Sequence, residues 1–306
     1  MRILVVGAGS VGGYLGGRLA IAGRDVTFLV RPARAAQLSK NGLSAVSPYG
    51  DFTLAPKLVL ASEIDGPYDV ILLAVKSYGL EGAMTDLAPA VGAATMILPV
   101  LNGMRHLDSL VARFGGECVL GGSTRLSTDL DAEGRILQLG EFNDLSYGER
   151  DCADTLRIQA LHAELSNAGF DTTLSPDILG LMWRKWMMLA ASGAITCLLR
   201  STIGEVVAAP YGLQTALGII EECAAIARAA GHAMPEKTME FTREYLTRRG
   251  SPFTSSMFRD LHKGAPVEAD QILGDLLARG EANGVNAPLV RAAYAQLAAY
   301  QARRSA

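Results

Sequence analysis

The stretch "VVGAGSVGG", residues 5–13, decides the fold because it places four glycines directly after an apolar run. Glycine weakens strands and helices, so this density needs a physical reason. The order is a predicted strand, the pattern G-x-G-x-x-G, a predicted helix, and a second strand that ends about twenty residues later. In that setting glycines allow a tight turn and let backbone N–H groups approach a pyrophosphate at the helix N-terminus. We therefore predict a dinucleotide-binding loop, with a ligand-free turn as the plainer alternative. The predicted loop residues are Gly7, Gly9, Ser10, Val11 and Gly12.

The residue after the second strand indicates which dinucleotide binds. "DVTFLV", residues 25–30, is followed by Arg31 and Pro32, where an NAD-binding chain would carry Asp or Glu for the ribose hydroxyls. Proline favours an extended Arg31, and a guanidinium matches a 2′-phosphate. The sequence thus favours NADPH over NADH, with Arg34 as a second candidate for the same phosphate. The alternative is that Arg31 is an ordinary solvated arginine.

Composition excludes several classes of protein. The chain has 306 residues, of which 19% are charged, and a net charge of −3, which argues against a disordered chain and against a nucleic-acid partner. Its length suits two domains. The N-terminus has too short an apolar stretch for a signal peptide, and the longest uncharged apolar run, residues 186–199, is shorter than the roughly 20 residues that span a bilayer. We expect a cytoplasmic protein with no membrane partner.

The four cysteines show no metal-ligand spacing, so we expect no metal site and buried free thiols in a reducing compartment. They are Cys118, Cys152, Cys197 and Cys223.

The first half of the chain alternates apolar runs with helical patterns, which is typical of a parallel sheet covered on both faces. Two turn signals, at 132–134 and 142–144, predict antiparallel strands appended to this sheet over about 124–148. From about 177 onward the pattern is helical, so we place a domain boundary near 175. The predicted strands cover 2–7, 25–30, 69–75, 95–100 and 117–122, and two of the predicted helices cover 10–22 and 104–113.

Four further residues carry chemistry by position. Lys76 and Asn102 each follow a predicted strand, at the sheet edge where ligands bind in such folds, although each also suits an ordinary strand end or turn. Lys185 lies on an apolar helix stripe, which favours either a proton donor with a lowered pKa or a lysine whose head reaches solvent. Glu268 stands at a helix entry, where a carboxylate is often only a dipole partner.

Taken together in this order, several motifs resemble the ketopantoate reductase (2-dehydropantoate 2-reductase) family of the 6-phosphogluconate-dehydrogenase-like superfamily. They are "GAGSVGG", Arg31, "AVKSY", "LNG", "MWRKW", "TIGEV" and "SSMFRDLHKGAPVEAD". The resemblance covers essentially the whole chain. It implies an N-terminal Rossmann-type NADP-binding domain over 1–175, an all-α substrate and catalytic domain over 176–306, and NADPH and substrate in the cleft between them.

The resemblance also implies roles for individual residues. Lys185 matches the general acid that protonates the alkoxide as hydride arrives, and Glu268 resembles the carboxylate that orients this lysine and the substrate hydroxyl. Ser256 matches a substrate contact, and Asn102 and Lys76 resemble residues that line the cofactor and substrate side of the site. The implied reaction is the NADPH-dependent reduction of a small 2-keto acid, first of all 2-dehydropantoate to pantoate in pantothenate biosynthesis. A homodimer is one candidate assembly.

The chain departs from the best-known members of that family at three positions. Leu189, Gly193 and Phe253 stand where those members carry asparagines, so the site is expected to hold a hydroxylated keto acid less well. A reductase of another 2-keto acid and a β-hydroxyacid dehydrogenase therefore stay open as alternatives. A non-catalytic NADP-binding redox sensor is the alternative outside enzymes.

Overall fold

The structure is a computed structural model that describes residues 1–305. The chain divides into two compact units. The first unit comprises residues 1–101 and 106–179, and the second comprises 102–105 and the chain from Gly180 onward. The short loop Asn102–Arg105 therefore groups with the helical half, although it follows a strand of the first unit in the chain.

Ten strands lie in the first unit and form two sheets. In chain order they are β1 (Arg2–Val6), β2 (Asp25–Leu29), β3 (Leu43–Val46), β4 (Phe52–Leu54), β5 (Lys57–Val59), β6 (Val70–Leu73), β7 (Met96–Pro99), β8 (Gly121–Leu130), β9 (Ile136–Gly148) and β10 (Asp171–Leu174). The first sheet has the order β5-β2-β1-β6-β7, and its strand pairs are all parallel. Every residue of β6 and β7 is buried, which explains why these strands are apolar throughout rather than alternating. The α/β fold and the first four predicted strands are confirmed.

The second sheet has the order β10-β9-β3-β4, with β8 paired to β9. The predicted antiparallel strands exist as β8 and β9, but they belong to this separate sheet and are not appended to the first one. The turn at 132–134 is confirmed, whereas the turn expected at 142–144 is wrong because β9 runs through it. There the Asn143 side chain is buried and donates to the Gly169 carbonyl oxygen at 3.0 Å, so a residue that favours turns is held in a strand.

The predicted strand over 117–122 is also wrong. Gly116–Cys118 form a 3₁₀ turn, and Val119 makes a single parallel bridge to Ile97 before β8 begins at Gly121. A short apolar run flanked by glycines is thus a connection between the two sheets.

Helix α1 (Ser10–Ile21) packs against both sheets of the first unit, which explains its four glycines. A Cβ at Gly16 would lie 2.7 Å from the Phe28 ring of β2, and a Cβ at Gly17 would lie 2.6 Å from the Phe52 ring of β4. Gly12 and Gly13 repeat the pattern one turn earlier, against Ala74 and Ile136. Residues three or four apart share a helix face, so each face of α1 keeps two glycines for close backbone approach. The other helices of this unit are α2 (Pro32–Asn41), α3 (Leu80–Leu87), α4 (Arg105–Phe114) and α5 (Leu156–Leu165).

The described part of the second unit is helical, as predicted. Its helices are α6 (Ile178–Leu199), α7 (Ile203–Ala208), α8 (Gly212–Ala229), α9 (Glu236–Leu246), α10 (Ser256–His262), a π-helical turn (Asp270–Gly274) that continues into α11 (Asp275–Ala282), and α12 (Pro288–Ser305). The Glu222 carboxylate of α8 accepts hydrogen bonds from the backbone N–H groups of Leu289 and Val290 in the first turn of α12, at 3.1 and 2.9 Å. A negative charge there satisfies unpaired donors and the helix dipole. Among residues 1–305, no helix combines the length and apolarity needed to cross a bilayer.

The cysteines are free thiols, but they differ in exposure. Cys197 and Cys223 are buried, Cys118 is partly buried and Cys152 is exposed, so the expectation of buried thiols is wrong for Cys152. Burial raises the pKa of Cys197 to about 12, which makes this thiol unreactive at neutral pH.

Candidate dinucleotide and substrate sites

In the glycine loop of the first unit, some glycines are required by the fold, and another leaves room for a ligand. Gly7 follows β1 with φ of +98°, a conformation that favours glycine, and a Cβ at Gly12 would lie 2.2 Å from the Gly7 carbonyl oxygen. Gly9 is different, because no atom lies within 4 Å of the position its Cβ would take. Gly9 is the N-cap of α1, and the first turn of that helix carries no acidic residue. The open backbone and the positive end of the helix fit a diphosphate.

Two arginines flank this loop. Arg31 is exposed and extended at the N-cap of α2, as the following proline predicts, and its Nη2 lies 3.3 Å from where a Cβ of Gly82 would be. Arg34 is partly buried, and its Nε donates to the carbonyl oxygen of Ala8 within the glycine loop at 3.0 Å. The end of β2 thus presents two guanidinium groups and no carboxylate.

Lys76 lies near the carboxyl end of β6, the strand that pairs with β1 on the side away from β2. It is exposed and is the N-cap of a 3₁₀ turn over Ser77–Gly79. The chain order reverses between β1 and β6, and the carboxyl ends at such a switch point are where open α/β sheets bind ligands. Lys76 and the glycine loop thus share one edge of the sheet.

A cavity in the second unit brings together three of the residues singled out from the sequence. Asn102 and Glu268 are 166 positions apart in the chain, yet both line it, together with Ser256 of α10. The remaining lining residues are Leu189, Ser255, Met257, Asp260 and Ile272. The cavity therefore combines amide, hydroxyl and carboxylate groups with an apolar wall.

Helix α6 contributes Leu189 to the wall of this cavity. Lys185, Leu189 and Gly193 are spaced four apart and so share a face of the helix. Leu189 lines the cavity, and a Cβ at Gly193 would lie 2.5 Å from the Met257 Cε, so the Met257 side chain occupies the space that a larger residue at 193 would need. The buried Trp186 donates from its indole nitrogen to the Ile272 carbonyl oxygen at 3.0 Å and fixes α6 against the π-helical turn. Partly buried Lys185 stands one turn before Leu189 on this face.

The polar side of the cavity is held by the π-helical turn and by α10. The Gln271 side-chain amide donates to the Asn102 carbonyl oxygen at 3.0 Å, which ties the Asn102–Arg105 loop to the turn. Ser255 is the N-cap of α10, where its hydroxyl accepts from the Phe258 N–H and pairs with Thr196 at 2.8 Å. Its neighbour Ser256 is exposed, so Ser256 is the serine whose hydroxyl suits a ligand.

Phe253 stands at the third position where an asparagine was expected, and it does not line the cavity. Its ring packs edge-on against Tyr245, with ring centroids 5.0 Å apart. The two other departures, Leu189 and Gly193, are therefore the ones that bear on the cavity surface.

Sequence reasoning did not assign four of the lining residues. Asp260 and Ile272 each lie four positions after a predicted site residue, Ser256 and Glu268, so the helical period was the available signal. Ser255 and Met257 are the immediate neighbours of Ser256. Among residues 1–305, no cluster of three or more His, Cys, Asp or Glu side chains could hold a metal ion.

The parallel sheet, its glycine loop and the helical second unit define a Rossmann-type dinucleotide-binding protein. Family models described as ketopantoate reductase PanE/ApbA and ketopantoate reductase PanE/ApbA C terminal match residues 3–151 and 177–301. The chain belongs to the ketopantoate reductase family and is an oxidoreductase that acts on a CH–OH group.

Related proteins align with nearly the whole length of this chain. It is 36% identical to an uncharacterized oxidoreductase, YkpB of Bacillus subtilis, over 99% of this chain and 100% of that one. It is 27% identical to a 2-dehydropantoate 2-reductase of Mesorhizobium japonicum, over 89% of each chain. Among solved structures, a 2-dehydropantoate 2-reductase from Geobacter metallireducens superposes with a TM-score of 0.87 at 30% identity, over 98% of this chain and 99% of that one.

Proposed function

We propose that this protein is an NADPH-dependent reductase of a small 2-keto acid, with 2-dehydropantoate as the first candidate substrate and pantoate as its product. The observation that carries the proposal is the cavity at which Asn102, Ser256 and Glu268 meet beside the α6 face that bears Lys185. The names of the Mesorhizobium and Geobacter relatives support the choice of substrate. Arg31 and the glycine loop support NADPH as the cofactor.

Bound NADPH would supply a hydride to the carbonyl carbon of the keto acid. Negative charge then develops on the carbonyl oxygen, and the Lys185 ammonium neutralises and protonates it, so that the C=O group becomes CH–OH. Glu268 orients Lys185 and the new hydroxyl, while Ser256 and Asn102 hold the substrate through their hydroxyl and amide groups. Lys76 contributes a positive charge on the cofactor side. A sensor of redox state would need no proton donor, which favours the enzyme over that alternative.

The apolar part of the cavity favours a second candidate substrate, a 2-keto acid whose side chain has no hydroxyl. Leu189 and Ile272 offer no hydrogen bond to the hydroxyl of 2-dehydropantoate, and the Met257 sulfur is only a weak acceptor. A site built to bind a hydroxyl rejects the analogue that lacks it by about 10⁴-fold, whereas an apolar pocket discriminates against an added hydroxyl by only about 10²-fold. The two candidates therefore predict opposite preferences.

The test is NADPH oxidation with 2-dehydropantoate and with trimethylpyruvate, which has the same carbon skeleton without the hydroxyl. Higher kcat/KM with 2-dehydropantoate supports the first candidate, and higher kcat/KM with trimethylpyruvate supports the second. Leu189→Asn should shift the ratio toward 2-dehydropantoate, and Leu199→Asn, at the exposed end of the same helix, should leave it unchanged. Tight NADPH binding without oxidation by any 2-keto acid would instead favour the sensor, and NADP reduction by 3-hydroxy acids alone would favour the β-hydroxyacid dehydrogenase.

A further inference from the structure

Arg34, on the first turn of α2, is bonded to the glycine loop rather than to any carboxylate. Its Nε donates to the Ala8 carbonyl oxygen at 3.0 Å, and its Nη1 donates to the Gln37 side-chain oxygen at 2.6 Å. Ala8 lies between the first two glycines of the motif and is buried. A guanidinium presents its donors in a rigid fork, so these two bonds fix the Ala8 carbonyl relative to α2.

The turn between β8 and β9 covers the side chains of Arg34 and Gln37. The Gln37 side-chain nitrogen donates to the Glu133 carbonyl oxygen at 3.3 Å. Gly134 has φ of +80°, and a Cβ there would lie 3.1 Å from the Arg34 Nη1 and closer still to Gln37. The backbone of the turn thus packs directly on the two side chains. Hydrogen bonds through Arg34 and Gln37 therefore connect the glycine loop, α2 and the turn.

The third nitrogen of the guanidinium, Nη2, is buried and meets no hydrogen-bond acceptor within residues 1–305. Desolvation also lowers the pKa of Arg34 from its usual value, because no nearby negative charge offsets burial of the cation. A charge that is partly buried without a counter-charge is costly and needs an explanation. Here it stands beside the positive end of α1, where two positive potentials add at the place that suits an anion.

We propose that Arg34 is a positioning residue for the dinucleotide: it holds the Ala8 carbonyl, and thereby the glycine loop, in the shape that binds phosphate. The bound phosphates in turn offset its charge. This inference rests on the proposed use of the loop as the NADPH site. Because Arg34 acts through the loop, NADPH and NADH should depend on it equally, whereas Arg31 should matter far more to NADPH than to NADH.

The experiment measures dissociation constants of NADPH and NADH on the purified protein without substrate, from the change in nucleotide fluorescence on binding. Arg34→Gln should raise both dissociation constants by about tenfold or more, as expected when a charge-assisted hydrogen bond to the loop is lost. Their ratio should stay at the wild-type value. Arg34→Lys keeps the charge but cannot make both bonds, so its dissociation constants should lie between those of Arg34→Gln and those of the wild type.

Arg24 provides a matched control in the same unit. Its Nε and Nη2 donate to the carbonyl oxygens of Glu164 and Ser166 at 2.7 and 3.2 Å, a similar brace remote from the motif. Arg24→Gln should lower the unfolding temperature and leave both dissociation constants unchanged. The proposal is overturned if Arg34→Gln binds both dinucleotides as the wild type does, if it weakens NADPH alone, or if Arg24→Gln weakens binding equally. A wild-type protein that binds neither dinucleotide would contradict the proposed function itself.

Discussion

Two alanine substitutions in the glycine loop separate its structural role from its binding role. In Gly12→Ala the new Cβ would stand 2.2 Å from the Gly7 carbonyl oxygen and 2.9 Å from the Ala74 Cβ. Overpacking costs about 1–3 kcal/mol, and the upper end applies here because backbone has to move. In a protein whose unfolding free energy is about 5–15 kcal/mol, this is a large loss.

Gly9→Ala should behave in the opposite way. Its φ of −84° and ψ of −159° are open to alanine, and no atom lies within 4 Å of the new Cβ. Its unfolding free energy should therefore stay within about 0.5 kcal/mol of the wild-type value. The methyl group would occupy the space where a diphosphate approaches the backbone, so the dissociation constant of NADPH should rise by about tenfold or more, which corresponds to about 1.4 kcal/mol.

The assay combines denaturant unfolding with NADPH titration on each variant. Wild-type NADPH affinity in Gly9→Ala would refute the claim that the loop approaches the dinucleotide through this glycine. Wild-type stability in Gly12→Ala would refute the packing argument for the loop.

Three further substitutions test other parts of the account. Lys185→Ala should lower kcat by about 10² or more, the usual contribution of a general acid, with little change in NADPH affinity; unchanged kcat would remove Lys185 from its role. Arg31→Glu should weaken NADPH far more than NADH, because it places a carboxylate where a 2′-phosphate is expected; equal losses would reject that assignment. The buried Glu149 carboxylate pairs with Arg157 at 2.7 and 2.6 Å, which lowers the pKa of Glu149 below its ordinary value of 4.5. The pair therefore stabilises the fold above about that pH and is lost as the pH falls through the folded pKa. Glu149→Gln should cost about 1–3 kcal/mol at neutral pH and flatten the loss of stability in acid, measured by unfolding across pH; an unchanged acid profile would show that another group governs it.

The parts of the fold that follow from local pattern could be predicted from the sequence. The strand, glycine loop and helix over residues 2–21 combine an apolar run, a glycine motif and a helical period, and all three agree. The start of α6 near 177 follows from its long apolar pattern in the same way.

The errors arose where tertiary contacts override local preference. Asn143 favours turns, but its amide bond to Gly169 keeps it in β9. Residues 117–122 have the composition of a strand, yet only Gly121 and Gly122 belong to one, and the residues before them connect two sheets whose separation no local pattern reveals. Among the α1 glycines the sequence predicts a ligand role for Gly12 alone, and the packing of Gly13, Gly16 and Gly17 against both sheets is visible only in three dimensions.

Some candidate site residues could likewise be predicted from local pattern, whereas others depend on packing. Residue types and strand ends pointed to Arg31 and Lys76, because ligand positions in parallel sheets follow from topology. Nothing in the spacing of Asn102 and Glu268 indicates that they share a cavity with Leu189, since that requires the packing of α6, α10 and the π-helical turn. The bond from Arg34 to Ala8 is likewise visible only in three dimensions.

A deuterium label shows directly whether the hydride passes from NADPH to the keto acid. Purified protein is incubated with 2-dehydropantoate or trimethylpyruvate and with NADPH in which deuterium replaces both hydrogens on the nicotinamide C4. The product is examined by mass spectrometry and NMR. The expected product is a 2-hydroxy acid with a single deuterium bound to its C2 carbon. A product without deuterium at C2, or no product from either acid despite bound NADPH, would contradict the proposed reaction.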